Sequence, residues 1–404
     1  MEVALMHRVV ELTLSLLVLV AVPAAARTPD MPDSVAVQVS AGSTHTCVLT
    51  AAGGVMCWGY NGFGELGDGT GYNSLVPVDV VGLAAVATVT AGAEHNCVLT
   101  SADGVACWGW NLYGQVGDGG SADRLSPVEV VGLGSGMAAV AAGGYHACAV
   151  TAAGGVKCWG DNSRGQLGDG STTGSSTPVD VVGLGIDVVA VAAGELHTCA
   201  LTVSGGVKCW GKNDTGQLGN GGTASSTAPV DVTGLSSGVA AVSAGNTHTC
   251  ALTTMGGVKC WGFDFYGQLG DGGSATSPVP VDVAGLGSGV IGVELGRLHT
   301  CAVTAAGSAL CWGYNLNGEL GDGSGMNSSL PVGVAGLDSG VAAISAGGYH
   351  SCAVTTSGGV LCWGSNTGGQ LGTGDGESCG KPRVVVGFGG SGADAIFADG
   401  FEAC

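Results

Sequence analysis

The sequence predicts an all-β fold, a seven-bladed β-propeller built from four-stranded blades. Three observations predict it: one long segment recurs seven times at a fixed period, each copy contains four short strand-like runs, and none shows helical periodicity. The step Cys-Trp-Gly marks the copies, which lie 50 residues apart once and 51 apart five times. Propeller blades pack radially and leave only short strand edges exposed. An open β-solenoid is the competing architecture.

The most regular part of each copy is a hairpin that contains two cysteines. In the fifth copy, Thr249–Thr253 and Val258–Trp261 flank a tight turn, and Cys250 and Cys260 lie ten residues apart. Residues equidistant from such a turn face each other with about 4.5–5.5 Å between their Cα atoms, and a disulfide accepts about 4.4–6.8 Å. Because every copy keeps the spacing, we predict seven cross-strand disulfides: Cys47–Cys57, Cys97–Cys107, Cys148–Cys158, Cys199–Cys209, Cys250–Cys260, Cys301–Cys311 and Cys352–Cys362.

Residues 1–26 have the pattern of a secretory signal peptide. A weakly basic start is followed by an apolar run over Leu12–Val22 and a small-residue cleavage site at Ala24–Ala26. The apolar run is too short for a comfortable membrane span, and no cysteine follows it at lipoprotein spacing. We therefore expect residues 27–388 to form an exported propeller without a membrane span, and residues 389–404 to form a glycine-rich tail.

The composition agrees with export and argues against one class of partner. Sixteen cysteines indicate an oxidising compartment, in which disulfides form and persist. The 79 glycines and few aromatics leave a core of small residues. Closing each short hairpin loop with a disulfide, which contributes about 2–3 kcal/mol, therefore matters to stability. The formal net charge of −20 argues against nucleic acid, whose phosphates require a basic surface.

The two ends of the repeat region carry complementary parts of one unit. A full unit reads PVDV-x-GL, V-A-A-V-x-AG, H-x-C-x-L-T and GGV-x-CWG, followed by a glycine-rich link. The first copy begins at Val35–Gly42 and lacks the PVDV run, whereas the last copy continues into Pro382–Phe388, which supplies it. We therefore expect the C-terminal strand to complete the N-terminal blade and close the ring, because closure removes exposed edges.

The repeated motifs carry a family resemblance. AG-x-x-H-T-C-A-L-T, GG-V-x-CWG and N-x-x-GQLGDG resemble the repeat of the regulator of chromosome condensation family, over Val35–Phe388. The resemblance implies a seven-bladed propeller. Founding members are nuclear guanine-nucleotide exchange factors on chromatin, but the export signal, acidity and paired cysteines of this chain depart from them, so exchange activity does not carry over. The chain is more similar to bacterial secreted members, one group of which inhibits β-lactamases by binding them.

Histidine occupies one equivalent position, just before a strand, in every copy. A ring of imidazoles can in principle bind metal, but a residue needed once per blade is more typical of a structural hydrogen bond that holds the preceding turn. The His-x-Cys pattern also lacks the close cysteine spacing of about two to four residues found in zinc sites. The histidines are His45, His95, His146, His197, His248, His299 and His350.

The Leu-Gly-Asp-Gly links suggest calcium loops, but they lack the alternating Asp/Asn ligands of such loops, and Gly-Asp-Gly is ordinary turn chemistry. Charged residues that break the repeat are scattered over different copies and suggest no nucleophile–base pair. We therefore expect no enzyme, no metal and no cofactor. The link aspartates are Asp68, Asp118, Asp169, Asp271 and Asp322, and the repeat-breaking residues are Glu94, Glu195, Glu294, Arg124, Arg164, Lys212 and Arg297.

Variable aromatic residues gather in two loops that should open on one face of the ring. In an antiparallel blade, the loop before the histidine strand and the link after Cys-Trp-Gly leave from the same end. Ten of the fourteen aromatics outside the Cys-Trp-Gly steps occupy the AG-x-x-H and WG-x-N-x-x-G segments of these loops and vary from copy to copy, whereas packing positions should repeat. Because Tyr and Trp are enriched at binding hot spots, we predict a partner-binding face formed by Tyr60, Phe63, Trp110, Tyr113, Tyr145, Phe263, Phe265, Tyr266, Tyr314 and Tyr349.

The tail resembles a short C-terminal segment of some exported proteins of Gram-negative bacteria, and Cys379 and Cys404 are left to pair with each other. The sequence therefore predicts a monomeric, non-enzymatic scaffold, periplasmic, cell-surface or extracellular, that binds a protein or glycan. The alternatives are a secreted inhibitor of an extracellular enzyme, a structural or adhesive surface protein and, less favoured, a glycan-active enzyme. Buried aromatics would favour the structural protein, and a polar pocket with a perturbed carboxylate would favour the enzyme.

Overall fold

The computed structural model describes residues 35–389 and Cys404. The expected signal peptide, residues 1–26, and nearly all of the tail lie outside the described residues. The described part of the chain contains 28 strands and no helix, arranged as seven four-stranded antiparallel sheets. Each sheet is one propeller blade, so the predicted all-β, seven-bladed fold is confirmed. None of the described segments is a helix that could cross a membrane.

Each blade is one continuous segment whose strands are neighbours in sequence order. Blades 1 to 3 comprise β1 (Ala36–Ala41), β2 (His45–Thr50), β3 (Val55–Gly59) and β4 (Ser74–Asp79); β5 (Val86–Ala91), β6 (His95–Thr100), β7 (Val105–Gly109) and β8 (Arg124–Glu129); and β9 (Met137–Ala142), β10 (His146–Thr151), β11 (Val156–Gly160) and β12 (Ser175–Asp180). Blades 4 and 5 comprise β13 (Val188–Ala193), β14 (His197–Thr202), β15 (Val207–Gly211) and β16 (Ser226–Asp231), then β17 (Val239–Ala244), β18 (His248–Thr253), β19 (Val258–Gly262) and β20 (Ser277–Asp282). Blades 6 and 7 comprise β21 (Val290–Leu295), β22 (His299–Thr304), β23 (Ala309–Gly313) and β24 (Ser328–Gly333), then β25 (Val341–Ala346), β26 (His350–Thr355), β27 (Val360–Gly364) and β28 (Cys379–Val384).

The first strand of each blade lies nearest the ring axis, where β1 contacts both β5 and β25. Seven strands converge there, which suits the small residues of the V-A-A-V-x-AG run. The second strand is buried throughout in β2, and the fourth strand, such as β4, is only half-buried because it forms the outer edge. The sequence order within a unit is thus a radial order, from the axis to the rim.

The two central strands of each blade are joined by a disulfide. Cys47 and Cys57 are direct partners in the β2–β3 register, as the spacing from the turn requires. The structure contains all seven predicted cross-strand bridges, with 4.0–4.1 Å between Cα atoms. An eighth bridge joins Cys379, at the start of β28, to Cys404. These eight bridges account for all sixteen cysteines of the chain.

The hydrophobic core lies between blades rather than within one. The tryptophan of each Cys-Trp-Gly step is fully buried, and Trp108 of blade 2 packs against Leu66 and Val80 of blade 1. The Trp108 indole N–H donates to the Glu65 carbonyl at 2.9 Å. Gly67, at a φ of 64°, makes this approach possible, because a Cβ there would lie 2.7 Å from the indole nitrogen. Each link therefore packs closely against the next blade.

The predicted completion of the first blade by the C-terminal strand is wrong. β28 pairs with β27 of blade 7, where Cys362 faces Arg383, and blade 1 has its own outer strand because Gly59 pairs with Ser74 of β4. The PVDV run belongs to the unit that precedes it, since the glycine-rich link returns the chain to the edge of the blade it has just left.

The ring closes instead through the same kind of contacts that join all the other neighbouring blades. The Gln370 carbonyl of the last link accepts the indole N–H of Trp58 at 2.8 Å and the Thr46 hydroxyl at 2.9 Å. The Gly374 amide donates to the Leu75 carbonyl at 2.9 Å, on the outer strand of blade 1. Blade 7 is therefore held to blade 1 by its link, without a shared strand.

Candidate partner-binding face

The two variable loops of each blade open at the same end of the propeller. One is the short turn before the histidine strand, residues 42–44 in blade 1, and the other is the link between the third and fourth strands, residues 60–73. They touch, since the Tyr60 amide donates to the Thr44 carbonyl at 2.9 Å. We call the surface formed by these seven pairs of loops the loop face. The β2–β3 turn and its equivalents, which include Met255, form the opposite face.

Five of the ten predicted aromatics form one cluster across blades 1 to 3. Ring centroids lie 6.1 Å apart for Tyr60 and Phe63, 5.9 Å for Phe63 and Trp110, and 5.5 Å for Trp110 and Tyr113. Tyr145 packs edge-on against Trp110 and Tyr113, at 5.7 and 5.8 Å. Tyr113 is 45% exposed and the other four are half-buried. We call this the five-ring cluster.

Four more of the predicted aromatics form a second cluster on blades 5 and 6. Phe263 stacks on Phe265 at 6.4 Å, and Tyr266 lies 5.1 Å from both Phe265 and Tyr314, edge-on. Phe265 is 69% exposed and the other three are half-buried. A shallow cavity of about 360 Å³ adjoins this four-ring cluster and is lined by Phe265, Tyr266, Gly272, Gly273 and Ser274 among others.

The tenth aromatic, Tyr349, belongs to a polar chain instead. The Arg297 guanidinium lies 5.2 Å from the Tyr349 ring centroid and donates to its hydroxyl. In the orientation that satisfies its amide, Asn246 donates to the Glu195 carboxylate and accepts from Arg297 Nε at 3.2 Å. These residues occupy equivalent loops of consecutive blades. Glu195 and Arg297, which look scattered in the sequence, are therefore brought together by Asn246.

Carboxyl groups lie beside the five-ring cluster. Glu65 is fully buried and accepts the Phe63 amide N–H at 3.0 Å. Its burial, reinforced by the negative charges of Glu94 and Asp123, raises its pKa to about 7. Burial and then Asp123 raise the pKa of Glu94. Burial also raises the pKa of Tyr145, with Glu195 and Glu94 adding to the effect. These acidic groups therefore lie close enough together to oppose one another's ionisation.

The seven histidines form a buried ring that joins neighbouring blades. His248 Nε2 lies 2.9 Å from the Thr300 hydroxyl of the next blade, and that hydroxyl donates to the Gln268 carbonyl. Because the hydroxyl proton is already used, the histidine must donate from Nε2. The sequence interpretation of a structural hydrogen bond holds, but the bond reaches the next blade instead of the preceding turn. Burial lowers the pKa of His248 to about 3, so the imidazole is neutral.

The ring of histidine side-chain hydrogen bonds has one break. His45, His146, His197, His248, His299 and His350 each bond an Asn, Thr or Ser of the next blade at 2.7–2.9 Å. At the joint between blades 2 and 3 the equivalent residue is Ala147, and both nitrogens of His95 are buried without a hydrogen-bond partner. Within the described residues, no group of three or more His, Cys, Asp or Glu is arranged to hold a metal ion.

The link aspartates act as turn residues, as their Gly-Asp-Gly setting predicts. Asp68 accepts the Thr70 amide N–H at 2.8 Å and the Asn61 side-chain amide at 3.2 Å. The sequence reasoning overlooked the role of that asparagine, which is present at the same place in six links. The signal was available: the asparagine of the N-x-x-GQLGDG motif is replaced by Asp264 in the fifth copy alone.

The fold and these motifs match one family of repeats. The model of the RCC1-like domain matches residues 17–297, and models of the regulator of chromosome condensation (RCC1) repeat match segments between 290 and 397. The chain belongs to the RCC1 repeat family. The ultraviolet-B receptor UVR8 of Arabidopsis thaliana is 33% identical over 354 residues, which cover 86% of this chain and 69% of the receptor.

Other relatives share only part of their length or only the fold. Human HERC2, an E3 ubiquitin-protein ligase, is 36% identical over 254 residues, which cover 61% of this chain but 5% of HERC2. Human WBSCR16 superimposes with a TM-score of 0.70 at 26% identity, covering 79% of this chain and 87% of that one. Yeast RCC1 (Prp20), solved bound to Kap60, superimposes with a TM-score of 0.73 at 20% identity, covering 90% and 89%. The last likeness shows the fold alone.

Proposed function

We propose that this protein is an exported, non-enzymatic scaffold that binds a protein or glycan partner through its loop face. The observation that carries the proposal is the five-ring cluster. It is a continuous, partly exposed aromatic surface made of residues at positions that are aromatic in only some of the blades. The likeness to propellers such as UVR8 supports an interaction role for the fold.

The contrast between two sets of aromatics supports binding over packing. The seven Cys-Trp-Gly tryptophans recur in every blade and are fully buried. The ten predicted aromatics vary, and none is fully buried; Tyr113 and Phe265 are the most exposed of the ten. A residue that packs in the core of every blade should recur in every blade. The variable aromatics are therefore not required for the core and can contact a partner. Partly exposed Trp and Tyr side chains are the usual anchors of such interfaces.

The charges of the loop face favour a partner with a basic surface. Glu94 and Glu195 lie on the turns beside Trp110 and Tyr145, in a chain of formal net charge −20. Complementary rim charges mainly raise the association rate, while buried aromatic anchors set the dissociation rate. A partner that binds here should therefore associate more slowly as the salt concentration rises.

Two features support a non-enzymatic, exported protein. The seven repeat histidines are fully or almost fully buried between blades, so none is available as a base to a substrate on the loop face. The sixteen cysteines all belong to bridges, which persist in oxidising compartments. Expression of the full chain in a Gram-negative host tests export: cleavage after residue 26 and recovery of oxidised protein outside the cytoplasm are expected. Recovery of uncleaved, reduced protein in the cytoplasm would contradict the proposal.

The partner face is tested by affinity capture with the oxidised protein, followed by binding measurements on the captured partner. Trp110→Ala and Tyr266→Ala remove one ring from each cluster, and each should weaken binding by about 2 kcal/mol or roughly thirtyfold if buried in the interface. Met255→Ser is the matched control, because Met255 is 82% exposed on the opposite face. Loss of binding in the control alone, with both aromatic variants unaffected, would place the partner on the face opposite the loop face and contradict the proposal.

A further inference from the structure

Each link is locked by the side chain that begins its N-x-x-GQLGDG motif. In blade 3, the Asn162 amide nitrogen donates to the Asp169 carboxylate at 3.1 Å and to the carbonyls of Ser171 and Thr173 at 3.2 and 3.1 Å. Its oxygen accepts the Leu167 amide N–H at 2.9 Å. The amide nitrogen thus sits among acceptors that lie seven, nine and eleven residues further along the chain. The same arrangement recurs around Asn61, Asn213 and Asn315.

Blade 5 has an aspartate at this position. Asp264 Oδ1 accepts the Leu269 amide N–H at 2.8 Å, as the asparagine oxygen does elsewhere. The second oxygen, Oδ2, occupies the place of the amide nitrogen and is buried with no hydrogen-bond partner, and the side chain as a whole is 0% exposed. The residues seven, nine and eleven positions later are Asp271, Gly273 and Ala275. In blade 5 a carboxylate oxygen, which accepts hydrogen bonds, therefore replaces an amide nitrogen, which donates them, among other hydrogen-bond acceptors.

We propose that this oxygen cage in blade 5 binds a calcium ion. Its ligands would be the carboxylates of Asp264 and Asp271 and the backbone carbonyls of Gly273 and Ala275, with water completing the shell. Carboxylate and carbonyl oxygens are the ligands that Ca²⁺ takes, at about 2.3–2.6 Å. Two carboxylates match the charge of a divalent ion, and no other link pairs an aspartate at the asparagine position with one seven residues later.

The spacing of the equivalent polar groups in other links suits a metal ion. In the links locked by Asn162 and Asn315, the amide nitrogen lies 3.0–3.2 Å from its acceptors. Neighbouring oxygens in an octahedral shell are about 1.4 times the metal–oxygen distance apart, or about 3.3 Å for the shorter calcium distances. The glycines at 272 and 273 can allow this small expansion, and Gly272 already has a φ of 91°. Mg²⁺ demands a more rigid octahedron and loses its water reluctantly, so this flexible link favours Ca²⁺.

The site is open to solvent on one side. Residues 271–276 are exposed, and the shallow cavity beside the four-ring cluster is lined by Gly272, Gly273 and Ser274. An ion can therefore enter from the loop face and keep water ligands there. A proton is the competing occupant, since burial and then Asp271 raise the pKa of Asp264 to about 6. Phe265 and Tyr266 of the four-ring cluster follow Asp264 directly in the same link.

Calorimetric titration of the oxidised full chain, freed of metal with a chelator, tests the site at pH 7.5 with Ca²⁺ alone. We expect one ion per chain with half-saturation at about 0.1–1 mM, the range of extracellular calcium modules. Asp264→Asn restores the residue found in six other links and should fold normally. It should weaken binding at least tenfold. Absence of saturable binding in the wild type, or equal binding in Asp264→Asn, would overturn the proposal.

A matched gain-of-site variant separates this cage from general binding to an acidic surface. Asn162→Asp places a carboxylate opposite Asp169 in blade 3, as in blade 5, and should add a second ion per chain. If it adds none while folding normally, the exchange of asparagine for aspartate does not make the site. Mg²⁺ at the same concentrations should bind more weakly; equal or tighter binding would overturn the assignment to calcium.

Discussion

The break in the histidine ring gives the sharpest stability prediction. Ala147→Thr places a hydroxyl between His95 Nε2 and the Gln115 carbonyl. The five equivalent hydroxyls of the other joints accept from histidine at 2.7–2.9 Å and donate to a link carbonyl at about the same distance. We expect the variant to be more stable than the wild type, because it satisfies a buried imidazole nitrogen that now has no partner.

The size of the gain follows from the bonds formed. A hydrogen bond contributes about 0.5–1.5 kcal/mol net, and a buried polar group without a partner costs about 1–3 kcal/mol. Two new bonds, reduced by the strain of adding atoms at a fully buried site, should stabilise the folded protein by about 1–2 kcal/mol. For a domain of this size that corresponds to a rise in Tm of roughly 1–3 °C.

Ala147→Val is the matched control, since valine has the shape of threonine without its hydroxyl. It fills the same space but leaves His95 unpaired, so its unfolding midpoint should lie at or below that of the wild type. Midpoints in guanidinium chloride, with unchanged m values and intact disulfides, are the measurement. Equal midpoints for the threonine and valine variants would refute the hydrogen-bond reasoning and show that volume alone matters at this joint.

Three further predictions concern the whole ring. Burial lowers the histidine pKa values to about 3, or about 4 for His45, so below about pH 6.5 the unfolded chain takes up protons that the folded chain does not, and stability should fall as the pH falls toward 4. Glu65 partly opposes this loss above about pH 4.5, because its raised pKa makes the folded chain bind a proton there that the unfolded chain does not. Urea midpoints that stay flat down to pH 4 would contradict the prediction. Non-reducing peptide mapping should recover the seven intrablade bridges and Cys379–Cys404, and bridges between blades would count against it. Deleting residues 379–404 should accelerate amide exchange in β27 and not in β3; equal acceleration in both would support the shared-strand closure.

The parts of the fold that depend on short-range geometry could be predicted from the sequence. Cys250 and Cys260 face each other because both are close to one tight turn, so counting residues from the turn is sufficient. The outer strand could not be placed by the same method. Fourteen residues, 60–73, separate β3 from β4, whereas only six, 80–85, separate β4 from β5 of the next unit, so proximity in sequence favours the wrong blade. Only the path of the link decides which blade it joins.

The sequence could predict which aromatics lie on the loop face, but not how those aromatics group into clusters. Strand direction fixes the end of the blade from which each loop leaves, so aromatics such as Trp110 and Tyr266 could be assigned to one face. Contacts between loops depend on how each link lies across the next blade. That geometry separates the five-ring cluster from the four-ring cluster and assigns Tyr349 to Arg297. The same contacts explain why Asn246, an unremarkable polar residue in the sequence, joins Glu195 to Arg297.

The confinement of each blade to one continuous segment has a consequence for folding kinetics. Every strand pairing and every cross-strand bridge joins residues of the same unit, so the entropy lost in closing each loop is small. A blade can form and oxidise as soon as its own segment is available, before later units have been synthesised. The contact of blade 7 with blade 1 joins distant parts of the chain, such as Trp58 and Gln370. We therefore expect rapid local formation of blades, with ring closure as the slow final step.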